Sequence, residues 1–91
     1  MIGVASQPRR REGVLAQRVD QTTVLLDPRP GEYFSLDEVG SRIWDLCDGT
    51  RTPAAIAEVI CEEYDAGPAT VQADVLELLA DLAGAGLLES A

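Results

Sequence analysis

The sequence contains no histidine and no lysine, and its aromatic residues are limited to one phenylalanine, one tryptophan and two tyrosines. Without histidine it lacks the commonest general base and the commonest metal ligand. Its two cysteines, Cys47 and Cys61, cannot complete a zinc site, and their spacing fits no cysteine-rich ligand pattern. There is no glycine-rich phosphate loop, no Gly-x-Ser-x-Gly elbow and no closely paired carboxylates in a helix–strand cleft. An enzyme is not expected, nor is a metal or cofactor. The apolar runs are only a few residues long, too short for a membrane span. The basic run Arg9-Arg10-Arg11 leads into Glu12 and Gly13 rather than an apolar segment, so no signal peptide is expected.

What is present suits one small domain. The 91 residues are 46% hydrophobic and 25% charged, near the average for globular chains. Charge is more distinctive: sixteen acids face seven arginines, for a net −9. All sixteen acids lie at or after Glu12, whereas three arginines precede it, so residues 12–91 carry −12. Beyond Arg51 eight acids follow with no positive side chain. Such a surface repels phosphate backbones and anionic lipid, and suits a basic peptide or protein partner. The same acids also serve solubility. Both cysteines fall in apolar helical patterns, which reads as buried, reduced thiols and a cytoplasmic location.

Along the chain, residues 1–12 have no periodicity and hold Pro8 beside three arginines, the composition of a flexible or loosely docked arm. Residues 13–91 form the domain. Gly13 to Asp20 reads as a weak strand, and Thr22 to Leu26 as a stronger, β-branched one. Asp27 to Gly31, with Pro28 and Pro30, has turn chemistry, and Glu32 to Leu36 is a third strand. Asp37 caps a helix from Glu38 to Cys47, with Val39, Ile43, Leu46 and Cys47 on one stripe and Gly49 stopping it. Thr52 caps a second, with Pro53 at its first position. Gly67-Pro68 opens the third, about Ala69 to Ala83, and Leu87-Leu88 closes against the core. The expected fold is α+β and winged helix-turn-helix-like: a three-stranded antiparallel sheet followed by three helices.

On the third helix, Val71, Val75, Leu78 and Leu82 cluster within about 60° at 100° per residue, with Leu79 and Leu76 widening the arc. Asp74, Glu77 and Asp81 lie immediately beside Leu78. An arc this wide either is all core or offers one acid-bordered edge to something else.

An ordered set of residues then carries a resemblance. Val24-Leu25-Leu26-Asp27, Gly31, Tyr33 to Gly40, Ile43-Trp44, Asp48-Gly49, Asp74-Val75 and Gly86-Leu87-Leu88 together resemble the PqqD-like family across residues of about 13 to 90. Asp37 stands where many relatives have asparagine, and both cap helices. The likeness is greatest to the stand-alone leader-binding proteins of lasso-peptide biosynthesis. It implies a non-catalytic recognition element that binds the leader of a ribosomally made precursor and delivers it to a leader peptidase, a transglutaminase-like cysteine protease, with a macrolactam cyclase acting afterwards. It also implies where the leader sits: between the third strand and the third helix. In this sequence that groove maps to Glu32, Tyr33, Phe34, Ser35 and Leu36 on one side and Asp74, Val75, Leu78, Asp81 and Leu82 on the other. An exposed edge strand provides a physical basis, because an extended peptide can add to it as a further strand. Trp44 and Tyr64 read as structural.

Two other classes compete. A winged helix suggests DNA binding, but the second and third helices carry no arginine or lysine to enter a groove. An acyl or peptidyl carrier domain is also small, acidic and helical, but needs a serine opening a helix. Ser35-Leu36-Asp37 has the residue types in another order, with Ser35 in a strand pattern.

Overall fold

The computed structural model describes residues 6–29 and 31–90. Among these residues five strands and three helices follow in the order β1 (Pro8–Arg10), β2 (Leu15–Val19), β3 (Thr22–Asp27), β4 (Glu32–Leu36), α1 (Glu38–Leu46), α2 (Pro53–Tyr64), α3 (Pro68–Gly84) and β5 (Leu88–Ser90). Strands β2, β3 and β4 form an antiparallel sheet in chain order, as expected.

Strand β3 alternates as a half-buried strand should: Thr23, Leu25 and Asp27 face inward. Its register places Leu25 against Phe34 and Leu26 against Tyr33. At the turn into β4, the Asp27 carbonyl accepts from the Gly31 N–H at 2.9 Å, and Gly31 takes a φ of 73°, a conformation that favours glycine. The Asp27 carboxylate accepts from the Arg29 guanidinium and backbone N–H, closing the same corner.

The helices start where their caps require. Asp37 accepts from the Gly40 N–H at 2.8 Å, and Thr52 from the Ala55 N–H at 3.2 Å. A Cβ on Gly40 would lie 3.1 Å from the Asp37 side-chain oxygen and 3.4 Å from the Leu36 Cβ, so a side chain there would crowd the Asp37 cap of the β4–α1 corner. Under the sheet, Leu25, Ile43, Trp44, Ile56, Ile60, Val75, Leu79 and Leu82 form one core. Cys47 is buried within it, its thiol donating to the Ile43 carbonyl and pushed up to about 12 by burial. Cys61 departs from the expectation of burial and is half-exposed, because it lies at the flank of α2.

The N-terminal segment departs from the reading as an arm. Residues 1–5 lie outside the described residues, but Pro8–Arg10 is a strand paired antiparallel with β5, a partner the sequence did not suggest. It is held by the buried ring of Pro8 and by backbone bonds. Arg10 N–H donates to the Cys47 carbonyl, Gly49 N–H to the Pro8 carbonyl, and Arg11 N–H to the Leu87 carbonyl. The Arg10 guanidinium also donates to the Trp44 and Asp45 carbonyls at 3.0 and 2.7 Å, placing a cation at the carbonyl end of α1.

Candidate functional site

A three-stranded sheet in chain order has two edges, β2 and β4. Along either edge, alternate N–H and C=O groups point away from the sheet without a ladder partner. The two edges differ in what lies beside them. Strand β2 is exposed at every position, with Leu15 58% and Val19 55% exposed. Strand β4 instead borders a groove of about 770 Å³ that separates it from α3, within the usual range of ligand pockets of about 300–1,000 Å³.

Three elements give the groove its apolar side chains. Phe34 and Leu36 of β4, Val39 and Ile43 of α1, and Leu78 of α3 give it apolar surface. The N-terminal turn of α1 fits beneath because Gly40 lets the helix approach Leu36 closely. Four carboxylates line it as well: Asp37, Asp74, Glu77 and Asp81. Asp37 is engaged as the cap of α1. All four are exposed, and no cation lines the groove.

Of the residues mapped from the sequence, Phe34, Ser35, Leu36, Asp74, Leu78 and Asp81 are brought together around this groove. Val75 and Leu82 are not: both are fully buried in the core, supporting α3 from behind. Leu78 alone of that apolar cluster stays half-buried on the groove side. The wide apolar arc is therefore divided, with Val71, Val75, Leu79 and Leu82 packed inward and Leu76 exposed. Glu32 and Tyr33 lie on β4 outside the groove lining. Tyr33 is 73% exposed and belongs to the opposite face, where it follows Leu26 and Leu15 in a cross-strand row. Thr22, Asp37, Val39, Gly40, Ile43 and Glu77 also line the groove and were not among the mapped residues. The Val39–Ile43 stripe beside the Asp37 cap was the available signal for the contribution of α1. Ser35 lies inside strand β4 and opens no helix, which removes the geometric premise of a carrier serine.

The described residues offer a groove with both apolar surface and carboxylates. They hold no cluster of histidine, cysteine or carboxylate groups able to take a metal ion. The thiol held by burial near 12 is not a poised nucleophile. No described helix is long and apolar enough to cross a membrane.

Known proteins resemble the chain over most of its length. The family model for coenzyme PQQ synthesis protein D (PqqD) matches residues 22–88. A PqqA binding protein of Xanthomonas oryzae pv. oryzae is 42% identical over 79 residues, covering 85% of this chain and 84% of the relative. Among solved structures, TbiB1 in complex with the TbiA(beta) leader peptide superposes with a TM-score of 0.80 at 40% identity, covering 89% of this chain and 94% of that one. Lasso peptide synthetase B1 complexed with its leader peptide gives a TM-score of 0.79 at 26% identity, covering 91% and 98%.

Proposed function

The chain belongs to the PqqD family, and from that membership and its open strand edge we propose that it is a non-catalytic adaptor for the leader peptide of a ribosomally made precursor. The observation that carries this reading is the unpaired edge of β4 facing an apolar groove beside α3. An extended peptide entering there gains main-chain hydrogen bonds from β4 and buries alternate side chains against Phe34, Leu36 and Leu78. Glu32 and Tyr33 contribute through the strand backbone, Ser35 at its centre, and Asp74 and Asp81 from the rim. Val75 and Leu82 act only by holding α3 in place.

Two relatives with a known occupant support the reading, since each was solved with a leader peptide bound. The name of the Xanthomonas relative likewise describes binding of a peptide partner rather than a reaction. Resemblance to the lasso-pathway structures favours a lasso precursor, with a transglutaminase-like leader peptidase receiving the bound leader and the macrolactam cyclase complex following it. Such an adaptor works in the cytoplasm, where precursors are made.

The test uses the leader of the precursor encoded beside this chain's gene. Titrated into the labelled protein, it should shift amide resonances of residues 32–36 and of the α3 face near Leu78. Two leader series N-methylated at alternate amides should then separate: one phase loses about tenfold or more in affinity, or about 1.4 kcal/mol, and the other is spared. Equal affinity for both series and the unmodified leader would exclude strand addition. The purified chain alone should leave the precursor uncut, and adding the peptidase should bring cleavage.

A further inference from the structure

The groove has carboxylates and no cation: six of the chain's seven arginines are engaged elsewhere, and the seventh, Arg11, does not line it. Arg9 pairs with Glu89, Arg18 with Asp45, Arg29 with Asp27, Arg42 with Glu63 and Arg51 with Asp48. Arg10 is taken by the carbonyls that end α1. None of these pairs involves Asp74, Glu77 or Asp81, and among the described residues those three carboxylates have neither an ion pair nor a hydrogen bond. They occupy one flank of α3, Asp74 and Asp81 about two turns apart and within about 20° of each other. Leu78 lies between them along the axis, turned toward the apolar surface of the groove.

Resting on the reading of this groove as a leader site, we propose that it selects a cationic leader segment whose groove-facing residues include both apolar side chains and arginine or lysine. The spacing follows from strand geometry. Successive side chains of an added strand point to opposite sides, so every second residue faces the groove, where Leu78 and the α3 carboxylates lie together, and the others face the Tyr33 side of the sheet. Neutralisation has to come from the occupant, because the described residues supply no cation there. A divalent ion does not fit, since the carboxylates are not clustered closely enough to hold one. The rim charges are solvated, so their effect is felt in association and in salt dependence more than in dissociation.

The experiment uses three synthetic twelve-residue peptides, capped at both ends, with threonine at one alternate set of positions and valine taking turns with lysine, glutamine or glutamate along the other. Binding is followed by fluorescence anisotropy at low and high salt, with amide shifts locating the site. The lysine peptide should bind about tenfold more tightly than the glutamine peptide at low salt, the glutamate peptide more weakly than either, and the differences should shrink by 1 M salt as screening shortens to about 3 Å. Asp74→Asn with Asp81→Asn should abolish the lysine preference while leaving the glutamine peptide bound. Glu58→Gln with Glu62→Gln makes the same change of net charge on the exposed side of α2 and should leave the preference intact. If lysine and glutamine peptides bind β4 equally, or if both double variants weaken the preference alike, selection by the rim is wrong while strand addition stands. If no peptide shifts residues 32–36, the leader site itself is wrong and the selectivity falls with it.

Discussion

Thr23 Oγ1 donates to Ser41 Oγ at 2.7 Å inside the core, and Ser41 Oγ donates in turn to the Leu36 carbonyl at 3.4 Å. Three elements are thereby tied at one point: β3 through Thr23, α1 through Ser41, and β4 through Leu36, its last residue. Thr23 and Ser41 are both fully buried, so neither hydroxyl has water as an alternative. The groove takes its shape from the same corner.

Ser41→Ala and Thr23→Val should each cost about 1–3 kcal/mol, because each leaves a buried hydroxyl or carbonyl with fewer partners. The double variant should cost less than the two singles together, since it removes both members of the pair. Urea unfolding of the four proteins measures the coupling, and strict additivity would show that the hydroxyls act independently.

Acid should weaken the turn that leads into β4. Hydrogen bonding from the Arg29 guanidinium to Asp27 holds that carboxyl below its ordinary value of 3.8, outweighing a smaller opposing effect of burial. A carboxyl lowered in the folded state stabilises fully above its unfolded pKa, and the contribution disappears as pH falls through the lower folded value. Asp27→Asn should therefore melt below the parent protein at neutral pH, with the gap constant down to about pH 5 and closing below about pH 4. A gap that persists unchanged at pH 2 would assign the effect to packing rather than charge.

The two thiols should differ in reactivity. Cys47 is fully buried and pushed up to about 12, whereas Cys61 is half-exposed. In the native protein at pH 8, a maleimide should modify Cys61 first, and Cys47 only as fast as the domain opens. Peptide mapping by mass distinguishes the sites. Equal labelling rates would mean that the α1 end is open in solution.

Local chemistry made much of this fold legible. Glu32–Leu36 follows from its alternation after a proline and glycine turn, and Pro53–Tyr64 from Thr52 followed by proline. Strand β1 was not legible, because its ladder joins Arg9 to Glu89, eighty positions away, through backbone groups that leave no side-chain pattern. The site was legible in part for a similar reason. Helical spacing groups Val75, Leu78 and Leu82 on one face, but which of them meets a peptide depends on where β4 and α1 come to rest. Val39, Ile43 and Glu77 reach the groove only through that tertiary arrangement.

Two adjacent leucines on α3 test this division between core and groove. Leu79 is fully buried, while Leu78, turned about 100° from it, lines the groove and is half-buried. Leu79→Ala removes packed methyl groups and leaves a cavity, for a loss of about 2–5 kcal/mol of stability. Leu78→Ala removes a side chain whose groove side is open, so its stability loss should lie below that of Leu79→Ala. Its larger effect should be on the bound leader, which loses an apolar contact and leaves faster. Association should change little, because encounter depends on the rim charges and not on the groove surface. Stopped-flow dissociation of a labelled leader, with urea unfolding of the same proteins, separates the two effects. A Leu78→Ala protein that releases leader at the parental rate would remove Leu78 from the binding surface, whatever its stability.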